Sequence, residues 1–287
     1  MGRMSTRPEA PATRALAWLY SGAAERARLA VLCALEREIG ASLRLGLDHQ
    51  VAHARLAWWR EECARCLAGA PAHPLTRELA ALFAPEPAAA LGGLAGLIDC
   101  AVWDLAAATF ETRRELSAYC ERWSAAMIEP LVLHAAPGLA PAPGRALGAA
   151  LRELELLLAL APEAHAGRLR LPLDELARAA VPAQVLAHAQ WPPQLAALLR
   201  ARHQELREAL GASVNALAPQ ARPPLRGVIV WAALACLQSQ RAQARLPCAS
   251  VPGEQQRLLD GWRAWRAARR AAAGHGLART LCAPQAC

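Results

Sequence analysis

Polar and apolar residues do not alternate along this chain in the two-residue rhythm of a half-buried strand, and Val and Ile are few. Ala, Leu, Arg and Glu dominate instead, all good helix formers. Pro and Gly divide the chain into ten segments that the pattern predicts to be helical. They run near Thr13–Leu45, His49–Ala68, Pro74–Phe83, Ala88–Thr109, Arg113–His134, Arg145–Ala161, Leu173–Ala180, Pro193–Ala216, Pro223–Arg245 and Gly253–Ala272. The longest expected loop is Ala135–Gly144, rich in Pro and Gly. No internal repeat is visible. The expected organisation is one helical domain over residues 15–272, with a flexible segment at 1–14 and a flexible tail at 273–287.

Composition narrows the function classes. A chain of 287 residues with 55% hydrophobic content can bury a large core. Its 32 basic residues are all Arg, and the net charge is +8. Arg and Glu are interspersed, without a basic block that would track a phosphate backbone, so no nucleic-acid partner is expected. The nine Cys are scattered and no secretory leader is recognisable, which points to reduced thiols and a cytoplasmic setting. The longest apolar run, Val228–Leu237, has ten residues. A spanning helix needs roughly 20, so no transmembrane segment is expected, while a peripheral membrane contact stays open.

Three blocks carry the chemistry worth following. The first is Arg55-Leu56-Ala57-Trp58-Trp59-Arg60-Glu61-Glu62, then Gly69 and His73-Pro74-Leu75-Thr76. The second is Asp104, then Phe110-Glu111-Thr112, Glu115-Leu116 and Tyr119-Cys120. The third is Gly167-Arg168-Leu169-Arg170-Leu171-Pro172-Leu173-Asp174-Glu175-Leu176. In this order and spacing they resemble the W-R-x-E…G…HP(V/L)T, D…(F/Y)-x-T…EL-x-x-YC and GR-x-Y-LP-x-(D/E)-x-L blocks of the squalene/phytoene synthase family. The resemblance implies an all-α, isoprenoid-synthase-type helical bundle around a central cavity. It also implies a prenyl diphosphate substrate held by Mg²⁺ between two aspartate-rich helices, whose carboxylates would stabilise the departing diphosphate.

Both aspartate motifs are missing. The first falls on Gly40, Ala41, Ser42, Leu43 and Arg44, and shifting it by a turn brings in only Glu36 and Glu38, which point to different helix faces. The second falls on Ala159 and Glu163, with Glu155 where the family has an upstream Asn. The five Asp of the chain include no pair four residues apart. The expectation is a non-catalytic scaffold that binds a lipid or prenyl ligand or serves as an assembly factor, with no catalytic residue, no metal and no cofactor. In that pattern of loss the chain resembles a phytoene-synthase-like assembly factor that keeps the fold and lacks the aspartates. The cavity would hold an apolar chain or be filled by side chains. The alternative is an active Mg²⁺-dependent prenyl transferase joining two prenyl diphosphates head to head. A vestigial phosphate pocket built from Arg37, Arg44, Glu163 and Arg168 is the candidate site, since guanidinium groups bind phosphate without metal.

Other patterns have plainer readings. His49 and His53 have zinc-compatible spacing, against a solvated helix start capped by Asp48. Cys63 and Cys66 form a lone C-x-x-C that reads as buried thiols. Trp58 and Trp59 read as core packing on a helix with a charged opposite face. Leu258, Leu259, Trp262 and Trp265, interleaved with Arg257, Arg263, Arg266, Arg269 and Arg270, form a basic amphipathic helix. The preferred reading docks its Trp face onto the protein; the other lays Trp262 and Trp265 on an anionic membrane surface.

Overall fold

A computed structural model describes residues 12–44, 46–85, 87–138, 142–249, 258–278 and 282. Fourteen α-helices account for most of them: α1 Ala12–Trp18, α2 Ala23–Gly40, α3 His49–Leu67, α4 Pro74–Leu82, α5 Pro87–Leu91, α6 Ala95–Leu105, α7 Arg113–Met127, α8 Glu129–Ala135, α9 Ala142–Leu158, α10 Leu160–His165, α11 Leu173–Arg178, α12 Pro193–Ala216, α13 Arg226–Arg245 and α14 Leu258–Ala272. No strand is present among the described residues; Gln190 and Cys248 form one isolated bridge.

The expected helices are there, but several are cut where the chain carries a local breaker. Ser21-Gly22 separates α1 from α2, Gly92-Gly93-Leu94 separates α5 from α6, and Pro130 starts α8. Ala159 divides α9 from α10. The expected loop at Ala135–Gly144 is shorter than supposed, because α9 begins at Ala142. Residues 250–257 and most of the expected C-terminal tail lie outside the described residues. The expected flexible N-terminal segment ends early: Thr13 and Arg14 are buried within α1. Leu277 is likewise buried, and the Gly274 carbonyl accepts from Arg222 at 2.7 Å.

Helix α7 packs on α6 on one side and on α9 on the other; α9 lies against α12 and α13, and α1 and α14 cover α13. The run Val228–Leu237 lies within α13, nearer its N-terminal end, and is at most 4% exposed throughout. Small residues set the closest approaches. A Cβ on Gly96 would lie 2.2 Å from the Arg122 carbonyl oxygen, so α6 meets the backbone of α7 directly. One stretch, Pro87–Leu105, has the length and apolarity of a membrane span. It is broken into α5 and α6, and Leu91, Leu94, Leu97 and Ile98 are in the core.

The three sequence blocks act as joints of this frame. Buried Glu62 of α3 accepts from the backbone N–H groups of Ala72 and His73, from Arg65 and from the Thr76 hydroxyl. Burial alone would raise its carboxyl, but these donors outweigh it and hold the pKa at about 2. The His73 side chain caps α4, with Pro74 in its first turn. Thr112 caps α7, while Glu115 accepts the Glu111 N–H at 2.7 Å in the manner of a capping box. The third block docks on the second: Leu173 and Asp174 donate to the carbonyls of Phe110 and Glu111 at 2.8 and 3.1 Å.

Candidate functional site

Four helices enclose the centre of the bundle, and a side chain from a fifth fills it. Arg14 of α1 lies over the Trp231 ring of α13 at 4.6 Å and the Trp123 ring of α7 at 5.5 Å. Its guanidinium donates to Glu36 of α2 at 2.6 Å and to both oxygens of Glu155 of α9, at 3.0 and 2.7 Å. Glu36 also accepts from Trp123 Nε1 at 2.8 Å. Burial opposes the charge on Arg14, yet Glu155 and Glu36 outweigh it and raise its pKa. Burial likewise opposes ionisation of Glu36, but Arg14 and Arg152 overcome it and hold the carboxyl at about 2.

The pairing continues along the interior. Arg152 of α9 lies 3.5 Å from Glu155 and 3.9 Å from Glu36, and it donates to the Tyr119 hydroxyl at 3.1 Å. Tyr119 donates in turn to Asp104 of α6 at 3.1 Å. Arg170 is 5% exposed and bridges Asp104, at 2.6 Å, to Glu163, at 2.8 Å. Glu163 closes the chain on Arg168 with contacts of 2.8 and 2.9 Å. Despite burial, Arg168 and Arg170 hold the Glu163 carboxyl at about 2. Four guanidinium groups therefore meet four carboxylates, and the formal charge of the network is zero.

Of the four expected pocket residues, the structure brings together Glu163 and Arg168 only. Arg37 and Arg44 are exposed, and neither hydrogen-bonds or ion-pairs with the other two. The chain leaves α2 through the 3₁₀ turn Ala41–Leu43 and is extended at Arg44, so Arg44 does not continue a helix face toward the interior. Gly40 is buried, Ala159 half-buried and Arg44 exposed.

The central residues Arg14, Glu36 and Arg152 were missed in the sequence. Glu36 and Glu38 point to different faces of α2, and Glu36 takes its partner, Arg14, from α1. Arg170 carries a signal that was available: it stands where the GR-x-Y-LP block has Tyr, which places a charge at a buried position. The plainer readings of the histidine pair and the cysteine pair fit the structure. Asp48 caps α3 through Gln50 and Val51, His49 and His53 are exposed, and Cys63 and Cys66 are buried, with burial pushing the Cys63 thiol to about 12. The tryptophan pair splits: Trp59 is 4% exposed, Trp58 41%.

These carboxylates do not fit the Mg²⁺ that the fold family implies. Each interior carboxylate already faces one or more guanidinium groups, and no cluster of three or more His, Cys, Asp or Glu among the described residues is placed to hold a metal ion. A pocket of about 20 Å³ lies between Ser21, Leu29, Leu131, His134 and Val228, and one of about 10 Å³ between Leu116, Glu153, Leu157 and Arg170. Each has room for about one water.

The family model described as squalene/phytoene synthase matches residues 8–266. The chain belongs to the squalene/phytoene synthase family. A search of the curated proteins finds no match. Among solved structures the chain is similar to a dehydrosqualene synthase crystallised in complex with ligand, with a TM-score of 0.72 and 18% identity over 91% of this chain and 90% of that one. It is also similar to squalene synthase HpnC from Alicyclobacillus acidocaldarius, with a TM-score of 0.56 and 17% identity over 80% of this chain and 98% of that one. At these identities the likeness is one of fold, the all-α isoprenoid-synthase-type bundle. This squalene/phytoene synthase family member thus keeps the family frame and carries an internally neutralised ion-pair chain through its centre.

Proposed function

We propose that this family member is non-catalytic and works as a scaffold, through contacts made by its surface, in the manner of an assembly factor. The observation that carries this reading is the Arg14 guanidinium, which stands between Glu36 and Glu155 and neutralises both. Ionisation of a prenyl diphosphate needs cations that are free to take up the departing charge. Here the guanidinium groups of Arg14, Arg152, Arg168 and Arg170 are spent on carboxylates, and every carboxylate oxygen of Glu36, Glu155, Asp104 and Glu163 already faces a donor. A lipid or prenyl chain would enter the interior only if α1 withdrew Arg14 from between Trp123 and Trp231.

A second reading, the active Mg²⁺-dependent prenyl transferase, draws on one observation. Glu36 and Glu155 do face each other from α2 and α9, so withdrawing α1 would leave a carboxylate on each helix. One experiment separates the two. The protein and its Arg14→Ala variant are incubated with farnesyl or geranylgeranyl diphosphate and Mg²⁺, and released diphosphate is measured. The scaffold reading expects none from either protein. Turnover by the parent protein sinks it, and turnover by the variant alone identifies α1 as the block on an otherwise competent site.

A further inference from the structure

Among the described residues six large apolar side chains are exposed, and three of them, Leu259 at 61%, Trp262 at 51% and Trp265 at 45%, lie on α14. The expected docking of the Trp face onto the protein is overturned. Helix α14 packs on α13 through Ala264, Ala267, Ala268 and Ala271, each at most 7% exposed. An Ala stripe lets two helices approach closely, but it buries far less apolar area than Trp, which removes about 150–250 Å² per side chain. A helix serving the core alone would be rotated the other way. Its large apolar residues are held out in water.

The same outward side is cationic. Arg266, Arg269 and Arg270 are exposed and Arg263 is half-buried. Arg266 lies over the Trp262 ring at 4.6 Å and Arg269 over the Trp265 ring at 5.2 Å. The acidic residue of the helix, Asp260, is turned inward, 5% exposed and paired with Arg241 at 2.8 Å. The patch extends to the turn after α1: the Tyr20 hydroxyl donates to the Gly261 carbonyl at 3.2 Å, and the adjoining Leu19 is 67% exposed.

We propose that the outward face of α14, with Leu19, is a docking surface for an anionic lipid bilayer. Charge complementarity and the mixing of Trp with Arg select this occupant. Indole rings settle at the headgroup level, and guanidinium groups beside them meet lipid phosphates while their stems stay on the apolar side. The 15-residue helix is about 22 Å long, short of the roughly 30 Å hydrocarbon core, so it lies along the surface rather than across it. The surface is outside the ion-paired interior, and the inference holds whether or not that interior is catalytic.

The test is co-sedimentation of the full chain with phosphatidylcholine vesicles, with and without phosphatidylglycerol. Binding is expected only with phosphatidylglycerol, and it should weaken as salt screens the arginines. Two variants, Trp262→Ser with Trp265→Ser and Arg266→Gln with Arg269→Gln, should each lose about tenfold or more in affinity. All four side chains contact solvent, so the melting temperatures should match the parent. Failure of the parent to sediment with phosphatidylglycerol vesicles overturns the proposal, as does undiminished binding by both variants. Self-association without lipid that the Trp variant abolishes would assign the face to a second copy and overturn it too.

Discussion

Arg14 reaches across 141 residues of sequence to hold both carboxylate oxygens of Glu155, through Nε at 3.0 Å and Nη2 at 2.7 Å. A buried pair of this kind adds little over an apolar filling of the same shape, because desolvating both charges costs about what their attraction returns. Removing one partner is another matter. The Arg14→Ala variant leaves Glu36 and Glu155 facing each other with only Arg152 nearby. It should unfold in urea with a loss of about 3–5 kcal/mol, and adding Glu36→Gln should recover part of that loss. A cost under about 1 kcal/mol would mean that Arg14 does not hold the two helices together.

Arg170 allows the reverse experiment, restoring the family's residue. Arg170→Tyr returns the motif's Tyr but strips Asp104 and Glu163 of their shared cation. The variant should be destabilised by about 3 kcal/mol, and the double variant Arg170→Tyr, Asp104→Asn by clearly less. Equal melting temperatures for parent and single variant would contradict the bridging role.

Stability should fall in acid, and the sign follows from the carboxyls. Glu62, Glu36 and Glu163 are each held at about 2 in the folded protein, against an ordinary 4.5. A carboxyl depressed on folding contributes stability above its unfolded pKa and loses it as pH falls through the folded value. The loss should therefore run from about pH 5 down to about pH 2. Glu62 is fully buried and contributes roughly 3 kcal/mol of it. Melting temperatures across that range should show a steep acid limb in the parent and a shallower one in Glu62→Gln, which starts from a lower plateau.

Two glycines should respond in opposite directions to the same substitution. Gly96→Ala drives a methyl into the backbone of α7, which cannot swing away, and should cost about 1–3 kcal/mol. Gly261 has open space around its Cβ position within α14. Gly261→Ala should stabilise by up to about 1 kcal/mol through helix propensity. Thermal melts of the two variants decide the matter, and a stabilised Gly96→Ala would refute the close helix approach.

The all-α fold and the frame of the family were legible because they rest on local signals. Helix formers, breakers such as Pro74 and Pro130, and caps such as Asp48 and Thr112 act within a few residues of themselves. The interior was harder to read. Arg14 meets partners 22 and 141 positions away, and helix formers on both sides of Ser21-Gly22 predict one helix from Thr13 to Leu45 where the structure has a break. Helix α14 shows a different limit. Its pattern has two candidate inner faces, one of Trp and Leu and one of Ala, and amphipathicity alone favours the larger side chains. Only the fit against α13 selects the alanines.

The long reach of Arg14 has a consequence for how the molecule is made. During synthesis α1 leaves the ribosome well before α9, and Glu155 follows Arg14 by 141 residues. Glu36 appears 22 residues after Arg14, but for the rest of that interval the guanidinium lacks the carboxylate that it holds through both oxygens. Helix α1 can therefore complete its docking only after α9 and then α13 have been made, so an early helix is seated by late ones.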